Sequence, residues 1–234
     1  IGKLIKVFYE SFANKKKQPA LILKTNGATY SILDREECKR KMNLVKQMFP
    51  KDWKLPNVYL LHGDLSDIEM NYLYNHPKVK SFISFTHGEG FGRPLLEATM
   101  TGLPVMASGW SGQLDFLDSE NSILLSGKMK QIPQSAVWKN ILLPESQWFC
   151  VDENKAYEVF NYFYENVDDL KKKAKKLMNK NKDKFTLNKM SDKLNEIISS
   201  YTKKDIPKQV QFNLPKLKKV NSVEEPKLPK LKKV

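Results

Sequence analysis

Four short apolar runs punctuate the first half of the chain: Ala20-Leu21-Ile22-Leu23, Val58-Tyr59-Leu60-Leu61, the segment from Lys80 to Phe85, and Pro104-Val105-Met106-Ala107. Between them lie segments with helix-like patterns or signals. Leu4, Phe8 and Phe12 recur at helical spacing ahead of the first run. Asp34, with Glu37 three positions on, has the spacing of a capping box, and Cys38, Met42, Val45 and Phe49 give that helix its buried stripe. Ser66 and Glu69 open a third helix, which His76-Pro77 closes; further helices are expected from about Pro94 to Met100 and from Ser111 to Leu117. Strand-like and helix-like segments in alternation leave few architectures open, because parallel strands need crossover helices. The predicted class is α/β, a mostly parallel sheet with helices on both faces.

The second half is predicted to be helical and then to lose its pattern. Ala156, Val159, Phe160 and Phe163 share one face, as do Leu170, Ala174 and Leu177, and then Met190, Leu194, Ile197 and Ile198. The lysines between Lys171 and Lys189 fall on the outward side of the middle helix, where a solvated face explains them. After Tyr201 the heptapeptide Leu-Pro-Lys-Leu-Lys-Lys-Val occurs twice, at Leu214–Val220 and Leu228–Val234. Residues 203–234 carry ten lysines against three acids, a net of +7 and half of the whole chain's +14. The charge thus says little about the folded part. Residues 1–201 are read as one domain and 202–234 as a basic, disordered tail. That tail either solubilises the chain or docks nucleic acid or another anionic surface.

Several classes are disfavoured. No apolar stretch approaches the roughly 18 residues of a membrane span, so a cytoplasmic or membrane-peripheral location is expected. Two cysteines, Cys38 and Cys150, make neither a disulfide framework nor a cysteine-rich zinc site. There is no Asp-x-Asp, no Gly-x-x-x-x-Gly-Lys-Ser/Thr, and Gly88, Gly90 and Gly92 do not follow Gly-x-Gly-x-x-Gly. No metal and no cofactor are expected. The start, Ile1-Gly2-Lys3-Leu4, reads as the middle of a longer protein.

The chemistry is concentrated between Ser81 and Leu117. In the alternating scheme, His87-Gly88-Glu89-Gly90-Phe91-Gly92 joins the end of a strand to the start of a helix, where open α/β sheets bind their ligands. Closely spaced glycines let the backbone approach a ligand, and free amides at the helix start favour an anion. Pro94 suits the first helical position, which needs no N–H partner. Glu89 in the loop and Glu97 one turn into the helix frame this junction with seven residues between them. A carboxylate can accept from both hydroxyls of a vicinal diol. The pair therefore suits a nucleotide whose diphosphate carries a sugar.

Here the sequence resembles the GT-B glycosyltransferases, in particular the large retaining group with the family-4 pattern. Their E-G-F-G-x-P-x-x-E-A signature is matched by Glu89-Gly90-Phe91-Gly92-Arg93-Pro94-Leu95-Leu96-Glu97-Ala98, and a downstream G-x-P-V-x-A-S by Gly102 to Ser108. The resemblance implies a Rossmann-like, C-terminal donor-binding half of a GT-B fold that lacks its first strand, with the acceptor domain preceding Ile1. It implies that Glu97 holds the donor ribose, that Glu89 holds the transferred sugar, and that the amides of Gly90, Phe91 and Gly92 meet the sugar or diphosphate. Lys24 is similar to phosphate-neutralising basic residues, and Ser111 and Gly112 belong to a second donor-side loop. Gly63 falls near the base. The implied activity is transfer of a sugar from a nucleoside diphosphate sugar to an unidentified acceptor, with retention and without a metal, by the full-length parent.

Each residue also has a plainer explanation. Glu89 alone is a loop charge, Glu97 a first-turn helix acid, and Lys24 a solvated strand terminus. His87 contacts substrate, is solvated or caps the core, and Trp110 stacks on a sugar or covers the sheet edge. The rival function is a non-catalytic nucleotide-sugar-binding module with the basic tail as its docking element.

Overall fold

In the computed structural model of the protein, residues 1–25 and 31–202 are described. The expected disordered tail lies outside the described residues. Residues Ile1–Lys189 form one compact unit, and a second begins at Met190.

In the first unit the order is helix α1 (Gly2–Phe12), strand β1 (Leu21–Thr25), α2 (Ile32–Lys46), β2 (Val58–His62), α3 (Asp67–Asn75), β3 (Phe82–Ser84), α4 (Arg93–Met100) and β4 (Val105–Ser108). Then follow a 3-10 turn (Gly112–Asp115), β5 (Ile123–Leu125), β6 (Gly127–Gln131), a second 3-10 turn (Gln134–Ala136), β7 (Gln147–Val151), α5 (Glu153–Glu165) and α6 (Val167–Lys184). β1 and β2 pair in parallel with Leu21 opposite Val58 and Thr25 opposite His62. β3, β4 and β5 form a second parallel group in that order. The alternation read from the sequence is this Rossmann-like arrangement.

Side-chain alternation along β4 explains why both faces are covered. Met106 enters one apolar cluster, with Leu4, Phe8 and Phe12 of α1, Leu21 and Leu23 of β1, and Phe160 of α5. Val105 and Ala107 point the other way, into a cluster with Tyr74 of α3, Leu95 and Ala98 of α4, and Leu177 of α6. All four β4 residues are buried, as expected for a parallel strand sandwiched by helices. Phe160 is 1% exposed and stacks on Phe12, with ring centroids 6.2 Å apart. Lys6 reaches from α1 to Glu153 at 2.8 Å and ties the two helices at their polar rim.

Three local expectations change, the first being the Ser111–Leu117 helix, which shortens to the 3-10 turn Gly112–Asp115. The capping box of α2 is Ser31 with Asp34, not Asp34 with Glu37: the Ser31 hydroxyl accepts from the Asp34 amide and the Asp34 carboxylate accepts from the Ser31 amide. Glu37, well inside the helix, pairs instead with Arg40 at 2.7 Å. Pro94 sits at the second helical position, because Gly92 caps α4 in a left-handed conformation (φ 90°, ψ 48°) and Arg93 comes first. The antiparallel hairpin of β6 and β7 was not anticipated. It pairs Gly127 with Val151 through Gln131 with Gln147.

The last helix, α7 (Leu187–Thr202), carries the described part of the second unit. Its stripe of Met190, Leu194, Ile197 and Ile198 is about half exposed. An amphipathic pattern specifies a face, not what covers it. Among the described residues no helix is long and apolar enough to cross a membrane.

Candidate functional site

The glycine-rich segment follows β3, and its geometry is set by three neighbours. The first is the loop after β4. The Ser111 hydroxyl donates to the Glu89 carbonyl at 2.8 Å, and the Gly112 amide donates to the same oxygen at 3.0 Å. A Cβ on Gly112 would lie 2.1 Å from the Gly90 carbonyl oxygen, so only glycine allows the two loops to touch. Ser111 itself holds φ 77° and ψ −163°, a conformation that costs a non-glycine residue about 1–3 kcal/mol. Gln113, fully buried, donates to the Ser108 carbonyl at 2.9 Å and closes the turn onto the end of β4.

The second neighbour is the unanticipated hairpin. The His87 ring lies flat on Trp148, with centroids 4.2 Å apart and planes 3° from parallel. His87 Nδ1 is 2.6 Å from the Phe149 carbonyl oxygen. A carbonyl only accepts, so Nδ1 carries the proton. The Phe149 amide returns a bond to the His87 carbonyl at 3.2 Å. Trp110 stacks on Phe149, with ring centroids 6.2 Å apart. The third neighbour is apolar: the Phe91 ring meets Phe116 edge-on at 5.3 Å and Phe185 at 6.1 Å.

This scaffold holds the backbone open. Among the described residues, the N–H groups of Glu89, Gly90, Phe91 and Gly92 donate to no protein acceptor. They lead into the N-terminus of α4, whose dipole adds positive potential. A row of free donors there suits a phosphate.

A cleft at the same end of the strands gathers Lys24, Thr25, His87, Gly88, Arg93 and Glu97. Lys24 Nζ donates to the Gly63 carbonyl at 2.8 Å, which links the end of β1 to the loop after β2. Glu97 pairs with Arg93 at 3.1 Å, one helical turn away. Tyr74 is 6% exposed, and its hydroxyl has no partner among the described residues. Burial, followed by the nearby Glu97 charge, pushes its pKa up to about 12. Glu89 is half-buried and is not among the residues that line this cleft. Of the sequence candidates, Lys24 and Glu97 thus share the cleft, while Glu89, Gly90, Phe91, Gly92, Ser111 and Gly112 form the adjoining loop pair. Arg93 was not singled out in the sequence, although its spacing from Glu97 is that of a helical ion pair. Tyr74 left no sequence signal. Among the described residues no three His, Cys, Asp or Glu side chains gather as a metal site.

The sequence matches no protein-family model and no curated protein. Solved structures do share the fold. Anabaena Alr3699/HepE, solved with UDP and glucose, superposes with a TM-score of 0.57 at 15% identity, over 85% of this chain and 45% of that one. The same protein with UDP-glucose gives 0.56 at the same identity and coverage. A glycosyltransferase from Rickettsia africae gives 0.58 at 18% identity, over 87% of this chain and 45% of that one. The chain therefore has the fold of part of these proteins and spans about half of their length.

Proposed function

We propose that the cleft and its adjoining loops bind a nucleoside diphosphate sugar, and that the chain is the donor-binding half of a glycosyltransferase. The observation that carries this reading is the run of free amides from Glu89 to Gly92 at the start of α4, one turn from the Glu97 carboxylate. In this reading the amides of Gly90, Phe91 and Gly92 hold the diphosphate or the sugar. Glu97 accepts from the ribose hydroxyls, and Glu89 accepts from the transferred sugar. Lys24 exchanges its Gly63 carbonyl for a phosphate oxygen, and Arg93 leaves Glu97 for the same group.

Chemically, the arrangement stabilises a leaving diphosphate. Fixed N–H dipoles and cations aimed at an oxygen that gains charge lower the barrier, because they need no reorganisation as the bond breaks. The acceptor and the groups that activate it belong to a second domain in this reading. The fold likeness to structures solved with UDP and UDP-glucose supports the donor class.

The test is calorimetric titration of the chain with UDP-glucose. A hydrogen bond to a charged group contributes about 1.5–3 kcal/mol, so Glu97→Ala is expected to weaken binding by about 10- to 100-fold. Equal affinity of the wild type and Glu97→Ala contradicts the assignment.

A further inference from the structure

We infer that Tyr74 and Arg93 are alternative partners of the Glu97 carboxylate, and that Tyr74 positions it once Arg93 swings to the diphosphate. This role rests on the donor-binding reading above, which leaves Tyr74 without a part. Among the described residues Glu97 meets only Arg93, through Nε and Oε1 at 3.1 Å. When the arginine serves a phosphate, the carboxylate needs another N–H or O–H to hold its plane.

The packing of α3 on α4 supplies one. Tyr74 stands at the C-terminal end of α3 and enters the same buried apolar cluster as Leu95 and Ala98 of α4. Phe82 of β3 lies against its ring, with centroids 6.0 Å apart. Pro94, Glu97 and Thr101 have the spacing of one helical face, and all three line the cleft together with Tyr74. Beyond burial, which is the main cause of its raised pKa, the phenol feels both charges, Glu97 raising it further and Arg93 lowering it.

The hydroxyl is open to such a bond. Its oxygen is buried and has no partner among the described residues. A buried hydroxyl left unpaired is costly, and one that persists in a folded protein points to a bond made in another state. With its pKa pushed up to about 12, the phenol keeps its proton and donates. An ionised carboxylate offers about four acceptor positions, so one bond from Tyr74 leaves room for both ribose hydroxyls. A hydrogen bond to a charged oxygen is also short and strong. Because the phenol is neutral, the diphosphate does not draw it away from Glu97 as it draws Arg93.

The experiment has two arms. Without nucleotide, Arg93→Met releases Glu97. Proton NMR of that variant is expected to show a downfield hydroxyl signal that the wild type lacks and that either Tyr74→Phe or Glu97→Ala removes. Its absence overturns the proposal. With nucleotide, calorimetric titration with UDP-glucose compares the wild type, Tyr74→Phe, Glu97→Ala and the double variant. Tyr74→Phe is expected to weaken binding about tenfold or more, the share of a hydrogen bond to a charged group, and to cost nothing further once Glu97 is alanine. Its Tm should stay or rise, because the free chain loses only an unpaired hydroxyl; a merely structural tyrosine would lower Tm and show the same loss in both backgrounds. Equal affinity of the wild type and Tyr74→Phe, or a full loss in the Glu97→Ala background, overturns the proposal. The arms keep the two readings apart. If Glu97→Ala weakens binding and the hydroxyl signal never appears, the proposal falls and the donor assignment stands. If the signal appears and Glu97→Ala binds UDP-glucose like the wild type, the donor assignment falls and the exchange of partners at Glu97 stands.

Discussion

Gly112 and Gly90 touch backbone to backbone: a Cβ built on Gly112 falls 2.1 Å from the Gly90 carbonyl oxygen and 2.7 Å from its carbon. The loop after β4 is thus a brace for the loop after β3, and the amides of Glu89 to Gly92 keep their direction because of it. Gly112→Ala must push the two loops apart. Overpacking of this kind costs about 1–3 kcal/mol. The expected result is a lower midpoint in urea and a UDP-glucose affinity that falls by at least tenfold. An unchanged affinity would show that the brace does not set the amides.

Trp148 holds the same loop from the other side through its stack on His87. Aromatic pairs contribute about 0.5–1.5 kcal/mol beyond area burial. Trp148→Ala is therefore expected to destabilise the chain by about 1–2 kcal/mol in chemical denaturation. Because His87 also bonds the Phe149 carbonyl, the His87 imidazole signals in NMR should shift with this change, whereas His76, on α3's C-terminal side, should not.

Core packing gives a third expectation. Phe160 is almost wholly buried against Phe12 and Phe85, and truncating such a ring costs about 3–5 kcal/mol. Phe160→Ala should lower stability by that amount, with Phe160→Leu closer to the wild type. Equilibrium unfolding followed by circular dichroism reads both.

Acid sensitivity follows from the contact between α1 and α5. The hydrogen bond from Lys6, with the charges of Lys6 and Lys3, holds Glu153 below its ordinary value of 4.5. A depressed carboxylate contributes stability that is fully present above its unfolded value and is lost as pH falls through the folded one. Stability should therefore drop below about pH 4.5, and Glu153→Gln should flatten that limb while lowering the plateau at neutral pH. Lys6 is raised by the same partner, so its share fades only as the solution becomes strongly alkaline. Thermal melts across pH 3 to 7 would show no difference between the two proteins if the pair were idle.

Much of this architecture was legible because it rests on local patterns. Phe8 and Phe12, Met42 and Val45, and Phe160 and Phe163 announce their helices by spacing alone, and Ser66 with Glu69 marks the start of α3 as written. The glycines at 92 and 112 could be read as a loop because a left-handed conformation at the first and close backbone approach at the second demand them. The β6–β7 hairpin was not legible. Lys128, Met129 and Lys130 alternate too weakly, since most of β6 is exposed, and the strand's pairing with β7 spans fifteen intervening residues. For the same reason the anchoring of His87 was out of reach: Trp148 lies far along the chain, and only the fold brings the rings together. Arg93 could have been found from its distance to Glu97. Tyr74 could not, because a buried hydroxyl without a partner leaves no trace in spacing.

The most direct test of the donor assignment is a crystal structure of the chain with UDP-glucose. The expected density places both ribose hydroxyls within hydrogen-bonding distance of the Glu97 carboxylate, with the diphosphate on the amides of Gly90 to Gly92 and Arg93 turned away from Glu97. A nucleotide bound elsewhere, with the Arg93–Glu97 pair intact, would contradict it.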